Sequence, residues 1–141
     1  ASQAFRPSQA QHEAFDLMQW DDVRALRPEL ITIGSHTRSH PILSRLSASE
    51  LTREVVESRE ELERRLGRPV EHFCYPNGDQ DPRVVELVRH TYSSAVTVQP
   101  GFVRQGADPF LLPRIPMPRN LPALAWRLHK PWGGWLPDGM A

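Results

Sequence analysis

The chain has 141 residues, the ordinary size of one domain. Its 17 basic and 17 acidic residues cancel, which excludes a strong electrostatic grip on nucleic acid or an anionic membrane and leaves room for a neutral ligand. The single cysteine, Cys74, excludes an internal disulfide framework, and no apolar run has the length of about 18 residues that a membrane span needs.

Residues 1–16 lack periodicity, contain Arg6-Pro7-Ser8-Gln9, and read as a loop or tail. They carry neither the basic nor the apolar stretch of a secretory signal, so the chain is expected to be soluble. Residues 17–130 read as one β/α unit, and residues 131–141, with Trp132 and Trp135, as a second tail. The unit opens with a short helix over residues 17–26, with Trp20, Val23 and Leu26 or Leu30 on its buried side. Asp21 and Asp22 fall in its first turn, where the helix dipole favours acids, which is their ordinary explanation. Glu29-Leu30-Ile31-Thr32-Ile33 follows as a predicted strand, and Gly34 at its exit permits close packing or an unusual φ.

Directly after that strand comes Gly34-Ser35-His36-Thr37-Arg38-Ser39-His40-Pro41. Imidazoles at i and i+4 share one side of a helical turn and reach one cation, for which neutral imidazole is a good donor. A catalytic zinc ordinarily takes three protein ligands and keeps a position open for water, so His36 and His40 ask for a third.

Ser47-Ala48-Ser49-Glu50 is a capping box, and the helix it starts runs to about Leu66, with Gly67 as its stop. Leu51, Val55, Leu62 and Leu66 mark the apolar face; Glu60 with Arg64 and Glu61 with Arg65 are the expected ion pairs of the wet face. Val70–Tyr75 is the next strand, feeding the turn Pro76-Asn77-Gly78. Asp81 then caps a helix over residues 82–90 that buries Val84 or Val85 and Val88. Ser94–Val98 is a third strand, residues 110–117 hold a fourth interrupted by proline, and residues 121–130 form a helix capped by Asn120. About four strands alternating with helices imply parallel βα units, and an incomplete parallel sheet leaves an apolar edge for another segment or a second copy to cover.

Two stretches carry a family resemblance. His36-Thr37-Arg38-Ser39-His40-Pro41 resembles the second motif of the polysaccharide deacetylases (carbohydrate esterase family 4, the NodB homology domain), in which both histidines bind the metal. Phe73-Cys74-Tyr75-Pro76-Asn77-Gly78 resembles the third motif, Arg-x-Pro-Tyr-Gly, in its Tyr-Pro-x-Gly variant. In order and spacing the resemblance runs from about Trp20 to Met117. It implies a distorted (β/α)7-type barrel of which this chain is the carboxyl-terminal part, lacking the first Asp-Asp motif that supplies the base and the third ligand. Asp21 and Asp22 stand too close to the histidines to be that pair.

The implied activity is metal-dependent removal of acetyl groups from an N-acetylated or O-acetylated polysaccharide through metal-activated water. Zinc is the expected ion, with cobalt or nickel as alternatives, and a cell-envelope or extracellular setting is the implied context. The resemblance places the metal on His36 and His40, the oxyanion donor at the Asn77 backbone N–H, and Tyr75 and Pro76 in the substrate groove. Cys74 stands where the family has the arginine that orients the base, which makes Arg114 a candidate replacement. The late Leu-x-His motif finds only Leu128-His129, so His129 is a weak candidate for the general acid. The alternative is a non-catalytic remnant or sugar-binding module of the same fold that lacks the base. A third reading is an unrelated metallohydrolase that takes its last ligand from Asp79 or Asp81.

Overall fold

The computed structural model describes residues 18–129; both expected tails, residues 1–16 and 131–141, lie outside them. Helix α1 spans Trp20–Ala25 and α2 Ala48–Leu66; strand β1 is His72–Cys74, followed by α3 (Pro82–Thr91), β2 (Ser94–Pro100), β3 (Leu112–Arg114) and α4 (Leu121–His129). Short 3-10 turns lie at Leu43–Arg45 and Pro76–Gly78. The strands form one parallel sheet in the order β1-β2-β3, with Phe73 opposite Ala95 and Val96 opposite Leu112.

The strand expected at residues 29–33 does not form. What remains is one parallel bridge: the Ser35 N–H donates to the His72 carbonyl (2.8 Å) and the Cys74 N–H to the Ser35 carbonyl (2.9 Å). This segment lies on the free side of β1, and no described strand pairs with its outer edge. Leu30 is 66 % and Ile31 41 % exposed, so the segment has neither the ladder nor the burial that would hold it extended. Gly34 serves close approach: a Cβ there would sit 3.0 Å from the His72 carbonyl oxygen.

Helix α2 is set by its ends. The Ser47 N–H donates to Glu50 Oε2 (2.9 Å), the Glu50 N–H points back at Ser47 Oγ (3.4 Å), and Gly67 closes the helix at φ 66°. Leu51 and Val55 are buried, with Leu62 and Leu66 packed at the core's margin. On the wet face Glu61 pairs with Arg65 as expected, but it also takes Arg64, and Glu63 takes Arg59 at 2.8 Å. Glu61 lies within one turn of both arginines and captures Arg64 from Glu60.

Helix α3 starts where Asp81 accepts the Val84 N–H (2.9 Å) with Pro82 at its first position, and it buries Val84 and Val88. Asn120 caps α4 by accepting the Ala123 N–H (2.9 Å). Helix α1 has no buried residue; Trp20 instead lies under the Arg65 guanidinium, 4.4 Å from its ring centre. Asp22 accepts the Gln19 N–H (2.8 Å) and Asp21 pairs with Arg24, so both acids serve the helix they begin.

The core joins Leu43, Leu51, Val55, Val70, Phe73, Tyr75, Val84, Val88, Tyr92, Ala95 and Phe110. Phe73 packs edge-on against Tyr75, with ring centres 5.3 Å apart, and in a tilted arrangement against Tyr92 at 5.0 Å. Beneath Ser35 runs a buried polar chain: Ser35 Oγ lies 2.8 Å from Ser58 Oγ, Ser58 donates to the Val55 carbonyl (3.0 Å), and so does the Tyr92 hydroxyl (2.7 Å). Among the described residues no helix is long and apolar enough to cross a membrane.

Candidate active site

His36 and His40 meet, but not on a helical turn. Residues 36–40 form an irregular loop in which Thr37 (φ 69°) and His40 (φ 58°) are left-handed, and the His40 N–H donates to Thr37 Oγ1 (3.0 Å). The bend brings the two rings edge to face with centres 4.8 Å apart. His36 Nδ1 lies 2.7 Å from the Cys74 carbonyl oxygen. A carbonyl only accepts, so Nδ1 carries the proton and the neutral ring keeps its lone pair on Nε2.

Next to the loop, β1 runs out into the turn Pro76–Gly78. Its two turn bonds, Gly78 N–H to Tyr75 carbonyl (3.0 Å) and Asp79 N–H to Pro76 carbonyl (2.9 Å), leave the Asn77 N–H out. Asn77 is exposed and left-handed (φ 54°). The positive-φ non-glycine residues described are Thr37, His40 and Asn77, all in these two adjoining segments. Such conformations persist only where the surroundings over-determine them, and they gather at functional sites.

Tyr75 and Pro76 do not line an open groove. Both are fully buried, and the Tyr75 hydroxyl donates to the Phe110 carbonyl (3.0 Å), with burial pushing its pKa up to about 12. The cause is strand alternation: Phe73 and Tyr75 share the inward face of β1. Arg114 Nε donates to the Thr97 carbonyl on β2 (2.6 Å), and His129 Nδ1 pairs with the Ala125 carbonyl of its own helix (2.7 Å). Neither bond is to the histidine loop or the Asn77 turn.

Asp79 and Asp81 are engaged elsewhere. Asp79 accepts the Ser44 N–H and hydroxyl, Asp81 caps α3, and among the described residues no third His, Cys, Asp or Glu joins the two histidines. One participant escaped the reading of the sequence: Glu54 of α2 accepts the Arg38 N–H (2.8 Å), the Ser39 N–H (3.0 Å) and the Ser39 hydroxyl (2.7 Å). Partial burial works to raise its pKa, but these donors and the Arg38 charge hold it below the ordinary carboxylate value. The available signal was a glutamate on α2 with no arginine or lysine three or four residues away.

The parallel βα fold presents two imidazoles beside a left-handed turn at the carboxyl end of a strand, the end at which parallel α/β folds carry their sites. The polysaccharide deacetylase family model matches residues 6–95, well over half of the chain, and the chain belongs to that family. The match begins at Arg6, inside the stretch expected to be a tail, and includes both the histidine loop and the Asn77 turn.

Among solved structures, BA0330 of Bacillus anthracis, provisionally assigned to the polysaccharide deacetylases, is 28 % identical over 70 % of this chain and 32 % of its own, with a TM-score of 0.63. The polysaccharide deacetylase BC0361 of Bacillus cereus is 26 % identical over the same shares, also with a TM-score of 0.63. The deacetylase PplD of Streptococcus pyogenes, solved with acetate, shares the fold at 21 % identity and a TM-score of 0.70, over 81 % of this chain and 51 % of its own. The chain thus spans about a third of the two Bacillus proteins and half of the streptococcal one. Its parallel sheet and covering helices match the deacetylase barrel over that part. Among curated proteins none shows significant similarity to the chain.

Proposed function

We propose that this chain carries the metal-binding pair and the oxyanion turn of a metal-dependent deacetylase of N-acetylated, or alternatively O-acetylated, polysaccharide. The observation that carries the reading is the pairing of His36 and His40 at 4.8 Å with His36 Nδ1 bonded to the Cys74 carbonyl. A metal-binding imidazole characteristically gives its other N–H to a carbonyl or carboxylate, which holds the ring and its tautomer. The donor chemistry therefore fits zinc first, with cobalt or nickel as alternatives. Bound there, the ion would supply Lewis acidity toward the acetyl carbonyl and lower the pKa of a water.

The chain's own residues supply the rest of what is assigned here. His36 and His40 hold the ion from one loop. The Asn77 N–H, left out of its turn's bonds, donates to the oxygen that gains charge as the amide carbon becomes tetrahedral. The third ligand and the base come from carboxylates outside residues 18–129. Arg114 Nε and His129 Nδ1 are engaged with the Thr97 and Ala125 carbonyls, so the orienting cation and the acid would act through the Arg114 Nη groups and His129 Nε2.

The test is metal content by mass spectrometry, beside acetate release from N-acetylglucosamine oligomers, for the full chain and its His36→Ala and His40→Ala variants. Near one zinc per chain, lost in both variants whose circular dichroism is unchanged, is the expected result. Equal metal content in all three removes the assignment. The second reading is a non-catalytic remnant or sugar-binding module of the same fold without the base. Zinc binding and oligosaccharide binding without acetate release would select it.

A further inference from the structure

Glu54 occupies the middle of the histidine loop from outside it. Its Oε2 receives two successive main-chain N–H groups, Arg38 at 2.8 Å and Ser39 at 3.0 Å, while Oε1 receives the Ser39 hydroxyl at 2.7 Å. These donors lie between Thr37 and His40, the two left-handed residues. A left-handed non-glycine residue is strained, so the loop needs something that over-determines it. Successive N–H groups converging on one point form an anion-binding concavity, and here the anion is a side chain of the next helix. The neighbouring Glu57 differs in kind: among the described residues it pairs with the Arg38 guanidinium, at 2.9 Å, with both side chains about half exposed.

We propose that Glu54 is a positioning residue for the metal pair: its carboxylate fills the concavity of residues 37–40 and holds the loop in the bend that turns the two imidazoles toward each other. The inference rests on the reading of His36 and His40 as ligands. It assigns Glu54 no contact with metal or substrate. Among the described hydrogen bonds, the Arg38 and Ser39 N–H groups both go to Glu54.

The experiment compares the full-length chain with its Glu54→Ala, Glu54→Gln, Glu57→Gln and His36→Ala variants in two measurements. The first is zinc affinity by chelator competition. The second is amide hydrogen exchange in the metal-free protein. Loss of a group that orients a ligand from behind costs about 10–100-fold in metal affinity, and that is the loss expected for Glu54→Ala. Glu54→Gln, which keeps one acceptor oxygen, falls between it and the wild type, and Glu57→Gln stays within about twofold.

In metal-free Glu54→Ala the Arg38 and Ser39 amides exchange about tenfold faster or more, while the buried amides of α2 do not change. Wild-type zinc affinity in Glu54→Ala and Glu54→Gln, with affinity lost in His36→Ala, overturns the inference and leaves the metal reading standing. A wild-type chain that binds no zinc overturns the metal reading, and the exchange rates then decide for or against Glu54 by themselves. If Glu54→Ala does not fold, the isosteric Glu54→Gln supplies both measurements.

Discussion

The carboxylate of Asp79 receives both the N–H (2.8 Å) and the hydroxyl (2.9 Å) of Ser44. It thereby ties the segment after the Asn77 turn to the segment after the histidine loop. The bond between His36 and the Cys74 carbonyl joins the same two parts of the candidate site. Asp79→Ala is expected to lower stability by about 1–2 kcal/mol, because it leaves two part-buried donors unpaired. A shifted urea midpoint with an unchanged slope is the readout, and zinc stoichiometry stays as in the wild type. A loss of zinc would make Asp79 a ligand after all.

Gly78 and Gly106 are both left-handed, at φ 69° and 79°, yet only one is crowded. A Cβ on Gly78 would stand 2.2 Å from Val98 Cγ2 and 3.1 Å from Val98 Cβ, so turning the valine does not relieve the clash; nothing lies within 4 Å of Gly106. Gly78→Ala is expected to cost roughly 2–4 kcal/mol and Gly106→Ala about 1 kcal/mol. Asn77→Gly, which relaxes a left-handed residue and keeps its N–H, is expected to be neutral or stabilising by up to about 1 kcal/mol. Thermal unfolding of the three variants checks the order; equal losses at both glycines would contradict the contact with Val98.

Tyr75→Phe separates a core role from a groove role. The hydroxyl is buried against the Phe110 carbonyl, so removing it is expected to cost about 1–3 kcal/mol of stability. Affinity for N-acetylglucosamine oligomers stays unchanged. A weakened affinity at full stability would return Tyr75 to the groove.

The acid limb of stability follows from the carboxylates. The Val70 N–H, then the Arg59 guanidinium, hold Glu63 below the usual carboxylate value against the opposing effect of partial burial. Donors and arginines hold Asp81 and Asp108 low in the same direction. A group whose folded pKa is depressed stabilises fully above its unfolded value and loses that contribution as pH falls through the folded one. Unfolding free energy is therefore expected to be flat above about pH 5 and to decline below it. Glu63→Gln should make the decline shallower, and an identical acid limb in that variant would remove Glu63 from the account.

Where structure is decided by near neighbours, the chain could be read directly. Ser47 with Glu50 starts α2 and Gly67 stops it; Asp81 with Pro82 starts α3; Asn120 starts α4. The inward pair Phe73 and Tyr75 is equally legible from alternation, against the groove role that the resemblance implies for Tyr75. The strand at residues 29–33 was not legible, because a strand exists only with its partners. Leu30 and Ile31 have the composition but not the ladder.

The amino-acid sequence by itself determined the caps of the helices, the spacing of His36 and His40 and the placement of Asn77 in a tight turn. All of these follow from interactions within a few residues, whose closure costs little entropy. Tertiary structure alone decided what the site is made of. The Cys74 carbonyl sets the tautomer of His36 across 38 residues, Glu54 shapes the loop across 15 or 16, and Ser44 meets Asp79 across 35. A left-handed Thr37 or His40 is disfavoured by local sterics, so no local pattern announces it, and only contacts supplied by the packed helix and strand hold it there.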